Sequence, residues 1–530
     1  MTVPTEAGAE ASTDGGSPAD SQPTTNAPGT PATDPGGMTS AATTAAGATA
    51  TTSAARPSAA ASAAASAAGS AAPGRARRPP AELPFTFADA ALADTLGEER
   101  GEPAWLREDR SSAAADFARL PVETNELYTT YVDFRAADLF AAQPFLRGAD
   151  APATGADASL PEGAAGIIEL RDDVVVRLAL EPDLVERGVI LETLGAAIAR
   201  DGAGIRDVLI ATPLPTNEKL AALSRAFWSQ GIHLHVPDGV QIERPIVLRW
   251  AAGTPERALI GRTIIRLGND ASASVIEDQV APGPSIAGVA GEPVPQGLVG
   301  ATTEIHLGAG ATLSFASIQD LPLSTTLLHQ RAATLGRGAV LKLALAQLGG
   351  RVVRSRIDNR LMGQGSSVEQ VEIVFGGPDQ LFDLTSYTRH VGEDTTGNLL
   401  SKAVLGQGSR AYIKGLISIE QTARGTDSFL GEFGMILDRK SRSVTIPSLE
   451  IDQPDCKRAA HASSVGPIDP SQLFYLESRG ITPDEARKFI TLGFLEPVVA
   501  RVPLESERER LWGLLEAKWA QRRDEGASAA

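Results

Sequence analysis

The sequence predicts a mainly β fold: a stacked β-solenoid core, preceded by a helical and α/β region and followed by a helical C-terminus. Three observations lead there. Five short segments share one form, a Leu or Met, then Gly, any residue, Gly or Asp, then Ala or Ser. They begin at Leu267 (LGNDAS), Leu307 (LGAGAT), Leu335 (LGRGAV), Met362 (MGQGSS) and Leu405 (LGQGSR), with neighbouring starts 40, 28, 27 and 43 residues apart. Short alternating runs flank them, such as Thr263–Leu267 and Leu341–Leu345, which is the period of a strand. Glycine totals 52 while aromatic residues make up only 5% of the chain, a balance that suits small residues and repeated turns better than a large helical core. Because glycine takes positive φ at little steric cost, one tight turn can recur at the same point of successive rungs. The alternative is an antiparallel sandwich, whose loops would be less alike.

The elements follow in chain order. Residues 1–85 form a predicted disordered tail. Between Pro4 and Glu82 there is no Val, Ile, Leu, Phe, Tyr or Trp, and Met38 is the single large apolar side chain. Such a segment cannot bury enough apolar surface to offset its ordering entropy. Residues 86–240 mix short helices and extended pieces with an α/β-like stretch. Ile167–Leu170 and Val174–Leu178 read as strands, and Val189–Arg200 and Asn217–Gln230 as helices. Leu220, Leu223 and Phe227 give the second helix its three- and four-residue spacing, and Gly231 is read as its stop. Residues 241–455 are the solenoid. Residues 456–530 are read as helical: Thr482-Pro483-Asp484-Glu485 is a strong helix start, and Leu511, Leu514, Leu515 and Trp519 line one side of a last helix.

Composition excludes several functions. A formal net charge of −17 over 530 residues argues against nucleic acid as the main partner, since phosphate binding needs a basic face. A single cysteine, Cys456, rules out an intrachain disulfide and a four-cysteine metal site built by this chain alone, and fits a reducing compartment. No run approaches 18 apolar residues and the N-terminus lacks a secretory layout, so a cytoplasmic location is expected. No G-x-x-x-x-G-K-S/T phosphate loop is present, so ATP hydrolysis would have to come from another chain.

Two stretches resemble the SufB/SufD family of the SUF iron–sulfur cluster assembly system. The first is Ala226-Phe227-Trp228-Ser229-Gln230-Gly231-Ile232-His233-Leu234-His235-Val236-Pro237-Asp238-Gly239-Val240, followed by Ile242-Glu243-Arg244-Pro245-Ile246. The second runs from Pro447-Ser448-Leu449-Glu450-Ile451 through His461-Ala462-Ser463. It continues into Gln472-Leu473-Phe474-Tyr475-Leu476-Glu477-Ser478-Arg479-Gly480-Ile481 and Glu485-Ala486. The resemblance covers roughly residues 167–501. It implies a right-handed parallel β-helix, a non-catalytic scaffold closer to SufD than to SufB, a SufB partner joined through the β-helices, and a SufC ATPase on the C-terminal helices. The nascent iron–sulfur cluster would be shared with the partner. The sequence leaves open whether the complex holds a flavin and whether the chain homodimerises alone. Two alternatives are a SufB-type subunit of a divergent system and a β-helix carbohydrate-active enzyme. The second wants paired carboxylates in a cleft, and the rungs show no local Asp cluster.

Candidate site residues come from the same comparison. His461 matches the functional histidine of SufD and is a candidate iron or cluster ligand; otherwise it caps a turn at the solenoid's end. Cys456 offers a thiolate, or is a small buried hydrophobe. It lies five residues before His461, whereas in many SufD chains a cysteine lies two before, where Ala459 stands here. Glu432 falls near the place of the reactive cysteine of SufB and is either a carboxylate ligand or a charge on an exposed rung face. Phe474, Tyr475, Arg479, Phe489 and Phe494 are expected to dock the ATPase, although such apolar positions also suit a core. His233 and His235 alternate on a strand and are read as facing the α/β layer.

Overall fold

A computed structural model of the chain describes residues 82–146, 148, 152, 155–211, 214–283 and 294–528. The chain divides at Arg77 into two units. The tail predicted for residues 1–85 lies outside the described residues as far as Ala81.

The second unit opens with α1 (Ala90–Glu99) and α2 (Ala104–Arg119), then a 3-10 turn at Thr129–Tyr131 and β1 (Gln143–Pro144). A cap follows: β2 (Gly166–Arg171), β3 (Val174–Leu180), α3 (Pro182–Glu186), β4 (Ile190–Thr193), α4 (Leu194–Ala211) and α5 (Lys219–Phe227). Two expectations need correction here. Residues 190–193 are a strand, because Ile190-Leu191-Glu192-Thr193 alternate in burial and pair antiparallel with the strand at Ile232–His235. Gly231 does not stop a helix. The helix ends at Phe227, and Gly231 sits inside a strand where a methyl group would come within 2.5 Å of the Arg262 carbonyl.

The solenoid itself is a succession of strand pairs: β5 (Gln230–Val236) and β6 (Ile246–Ala251), β7 (Arg257–Leu267) and β8 (Ser272–Val280), β9 (Gly297–Leu307) and β10 (Thr312–Asp320), β11 (Thr325–Leu335) and β12 (Val340–Gln347). It continues with β13 (Val352–Leu361) and β14 (Ser367–Gly376), β15 (Leu381–His390) and β16 (Thr396–Leu405), β17 (Arg410–Ile419) and β18 (Asp427–Ile436), and β19 (Arg442–Ile451) and β20 (Arg458–Gly466). Odd strands from β5 to β19 form one parallel sheet, even strands from β6 to β20 the other. The change from strand to helix therefore falls after Gly466, not at 456. The helices that follow are α6 (Pro470–Ser478), α7 (Pro483–Val499) and α8 (Glu505–Ser528).

The repeated turn is the corner between an odd strand and the next even one. Gly239, Asp270, Gly310, Gly338, Gly365, Asp394 and Gly425 occupy one position of successive rungs, with φ between +53° and +71°. Each donates its N–H to a carbonyl in the following rung's corner at 2.7–2.9 Å. Four of the five sequence repeats fall on this corner. The fifth, at Leu405, joins β16 to β17 at the opposite corner. The true counterpart is Val391-Gly392-Glu393-Asp394-Thr395, hidden because Val stands where the others have Leu or Met and Thr where they have Ala or Ser, although Asp394 takes the left-handed position as Asp270 does.

Both outer faces are covered, so most strands are buried on both sides, as parallel sheets usually are. Leu106, Phe117, Leu223 and Phe227 pack on Ile260, Ile264 and Leu328 of the odd sheet. Leu492, Leu495, Leu511, Leu515 and Trp519 pack on Ile318, Ile373 and Val404 of the even sheet. The segment after α2 runs as a strap across the odd sheet. Glu123 pairs with Arg354 at 2.8 Å, Asn125 bonds Tyr387 at 3.3 Å, and the Tyr131 and Tyr412 rings lie 5.7 Å apart.

Candidate functional site

The end of the solenoid at β19 and β20 is open. Each is the last strand of its sheet. Every residue of β19 is at least partly exposed, where β17 is largely buried, and Ile451 and Val465 are 45% and 42% exposed. The two sheets draw together here: the Ile446 N–H of β19 donates to Glu432 Oε2 of β18 at 3.0 Å.

Glu432 belongs to an interior column. In register along the even sheet stand Glu277, Ser317, Leu345, Glu372, Ser401, Glu432 and Ser463. The expectation of an exposed rung face is thus wrong. Glu432 is 1% exposed, because inward and outward alternate with the strand and this position points in. Burial pushes its carboxyl up to about 8, only partly offset by the Ile446 N–H. Its Oε1 has no hydrogen-bond partner among the described residues.

His461 lies on the same inner face, one rung further on and two residues back. Its register partner is Leu430, in a column that continues Gln370, Leu399 and Leu430. On earlier rungs this column is covered by the next strand. On β20 none follows, so the imidazole is exposed. Strand and rung spacing put the Glu432 and His461 backbones roughly 8 Å apart. Ala459, two residues before His461, shares this face.

Cys456 and His461 stand on different elements. The cysteine sits in the corner before β20, half-buried against the main core. It lies five residues before His461, with a bend at Lys457 before β20 begins. The flanking charges are engaged elsewhere: Asp455 with Arg424 at 3.3 Å, Lys457 with Asp394 at 3.1 Å, and Arg458 with Asp427 at 2.6 Å.

The five expected docking residues split. Phe474, Tyr475 and Phe489 are 73%, 57% and 64% exposed, and no residue of α6 is buried. The Arg479 guanidinium lies over the Tyr475 ring at 5.3 Å. Phe494 differs: it packs against the core of the helical cap, with the Lys402 ammonium over its ring at 4.7 Å and bonded to its carbonyl at 3.1 Å. The capping box expected at Thr482 and Glu485 is present.

Sequence reasoning missed the buried charges. Arg331 donates to Glu277 at 2.6 Å, and Thr303 and Ser317 add further bonds. Burial alone would raise the Glu277 carboxyl, but Arg331 outweighs it and holds it at about 2. Under the strap, Arg354 also bonds Asp383 at 3.3 Å, which in turn pairs with Lys414. No sequence signal marks these, since the partners are 26 to 231 residues apart and meet only through the register. His233 and His235 do share a face, their rings 6.4 Å apart. Glu192 lies 3.3 Å from His233, a partner that distance in sequence concealed. Among the described residues, no three His, Cys, Asp or Glu side chains gather as a metal site. No described helix is long and apolar enough to cross a membrane.

Residues 250–494 match the SUF system FeS cluster assembly, SufBD core domain family. The chain is 26% identical over 452 residues to the iron–sulfur cluster assembly protein SufD of Bacillus subtilis, covering 81% of this chain and 98% of that protein. It is 27% identical over 341 residues to SufB of the same organism, covering 64% of this chain and 71% of that protein. An iron–sulfur cluster assembly SufBD family protein of Staphylococcus epidermidis is similar at 26% identity over the same shares. Residues 250–494, from the end of β6 to within α7, thus carry a SufBD core domain of the SUF iron–sulfur cluster assembly system, and the chain around it is similar to both SufD and SufB.

Proposed function

We propose that this chain is the SufD-type scaffold of an assembly complex and does no chemistry alone. The open end of the solenoid pairs with a SufB-like subunit, the α6–α7 face docks a SufC-like ATPase, and the nascent cluster is cargo held at the subunit boundary. The observation that carries this reading is His461: an exposed imidazole with no hydrogen-bond or ion-pair partner among the described residues, on the inner face of the last rung. An imidazole there can ligate iron, but a complete ligand set needs groups from another chain. Similarity to SufD along nearly that protein's whole length supports the choice of subunit. Glu432, neutral and enclosed at pH 7, serves better to hold the last rung than as an iron ligand. Cys456, half-buried against the core in the corner before β20, is left outside the cluster site.

Anaerobic co-purification of the tagged chain, with iron and sulfide analysis, tests this. The expected result is a SufB-like chain and a P-loop ATPase, with iron in the complex only. His461→Ala should remove the iron while leaving all subunits present. A chain recovered alone, or an iron-loaded His461→Ala complex, would sink the proposal.

A further inference from the structure

Nothing in the solenoid's own hydrogen bonding calls for the strap to reach as far as β19, yet it does. Tyr128 is fully buried, its hydroxyl donating to the Gly415 carbonyl of β17 at 3.1 Å and lying 3.5 Å from Ser448 Oγ of β19. Its ring also lies 6.2 Å from that of Tyr387. Around this anchor Glu126, Leu127, Thr129 and Thr130 are all exposed. The turn is tied internally, with Leu127 N–H donating to Asn125 Oδ1 at 3.0 Å and Tyr128 N–H to the Asn125 carbonyl at 3.0 Å. A buried aromatic therefore fixes a short turn at the rim of the open end and presents Leu127, 55% exposed, to solvent.

The two edge strands at this end are not equivalent. β20 contains no proline, and its free edge can add a strand. β19 carries Pro447 at its middle, which has no N–H to give, so a continuous ladder cannot form along its outer edge. A partner that pairs with β20 through its main chain must meet the β19 side through side chains. The apolar side chains exposed there are Ile451 at the end of β19 and Leu127 on the strap beside Tyr128.

We infer that the strap tip, Glu126–Thr130 with Leu127 as its apolar contact, is part of the surface that receives the partner solenoid. The inference rests on the pairing reading above and deepens it: the N-terminal region, and not only the β-helix, contacts the second subunit. The occupant is the edge of another parallel β-solenoid, because unpaired strand groups on β20 and isolated apolar side chains on the β19 side fit such an edge.

The test is the dissociation constant of the full chain for the SufB-like subunit of its own host, for wild type, Leu127→Asp and Val465→Asp. Both side chains are exposed, so unchanged melting temperatures are expected and checked first. Each variant should bind about tenfold more weakly or worse. If Val465→Asp weakens pairing and Leu127→Asp does not, the strap inference is overturned and the pairing reading stands. If neither has an effect, the open end is not the pairing surface and both fall. Should Leu127→Asp abolish only self-association of the isolated chain, the partner assigned here is wrong.

Discussion

Gly415 of β17 lies directly against the carboxyl of Glu432 across the narrowed end of the solenoid. A methyl group on Gly415 would come within 2.6 Å of Glu432 Oε1 and 2.5 Å of Leu430 Cδ2. The opposite side of the same peptide accepts the Tyr128 hydroxyl at 3.1 Å, so β17 has no room to retreat outward. Gly415→Ala should therefore overpack this end and lower stability by about 1–3 kcal/mol. Equilibrium denaturation measures it, and an unchanged midpoint would mean that the sheets separate more easily than this packing implies.

The same enclosure gives Glu432 a signature in pH. Its carboxyl is raised to about 8 in the fold, against an ordinary value near 4 in the unfolded chain. Between those limits the native state holds a proton that the unfolded state has lost. Stability contributed by this group is thus full at low pH and declines as pH climbs toward 8. Glu432→Gln, neutral throughout, should match wild type only below about pH 4 and gain on it steadily up to pH 8, by on the order of a few kcal/mol. Parallel stability curves for the two proteins between pH 5 and 8 would show that Glu432 is already ionised.

The rung turns were legible because glycine at a left-handed position leaves a mark in the sequence. The sheet assignment of each turn was not, since Leu405 carries the same letters at the other corner and the turn at 391–395 carries different letters at the right one. Register decides whether a residue faces in or out, and one residue of slip exchanges the faces. That is why Glu432 read as a surface charge and why the Glu277–Arg331 pair gave no sign of itself. His461 was legible only through likeness to a family. Its exposure on an inward column depends on where the solenoid stops, a property of the last rung and not of local sequence.

The corner ladder makes its own prediction at Gly425, where φ is +70° and a methyl group would fall within 2.4 Å of Asp394 Oδ1. Gly425→Ala should cost about 1–2 kcal/mol from backbone strain alone, with more from the contact. Asp394 would also be pushed off Lys457, 3.1 Å away on the strand's approach to His461. Hydrogen exchange of β20 amides should accelerate in the variant more than that of β10 amides. Equal acceleration in both would mean that the rungs do not loosen independently.

Exposure separates the aromatic residues of the C-terminal helices proposed to dock the ATPase from those that pack. Phe474 and Phe489 are 73% and 64% exposed, so charged replacements remove apolar surface without opening the core. Phe494 is packed among Leu492, Leu495 and their neighbours, and holds Lys402. Phe474→Asp with Phe489→Asp should therefore abolish ATPase co-purification while leaving the melting temperature of the chain unchanged. Phe494→Ala should do the reverse first, costing about 3–5 kcal/mol if its site is as close-packed as a core position and less in proportion to its partial exposure. Thr482→Ala removes the capping box that fixes the start of α7 and should cost about 1 kcal/mol. Because that cap sits in the turn between α6 and α7, its loss should weaken ATPase binding more than its stability cost alone would suggest. If the double aspartate variant still retains the ATPase, the exposed aromatic face serves some other contact, and the docking surface must lie away from α6.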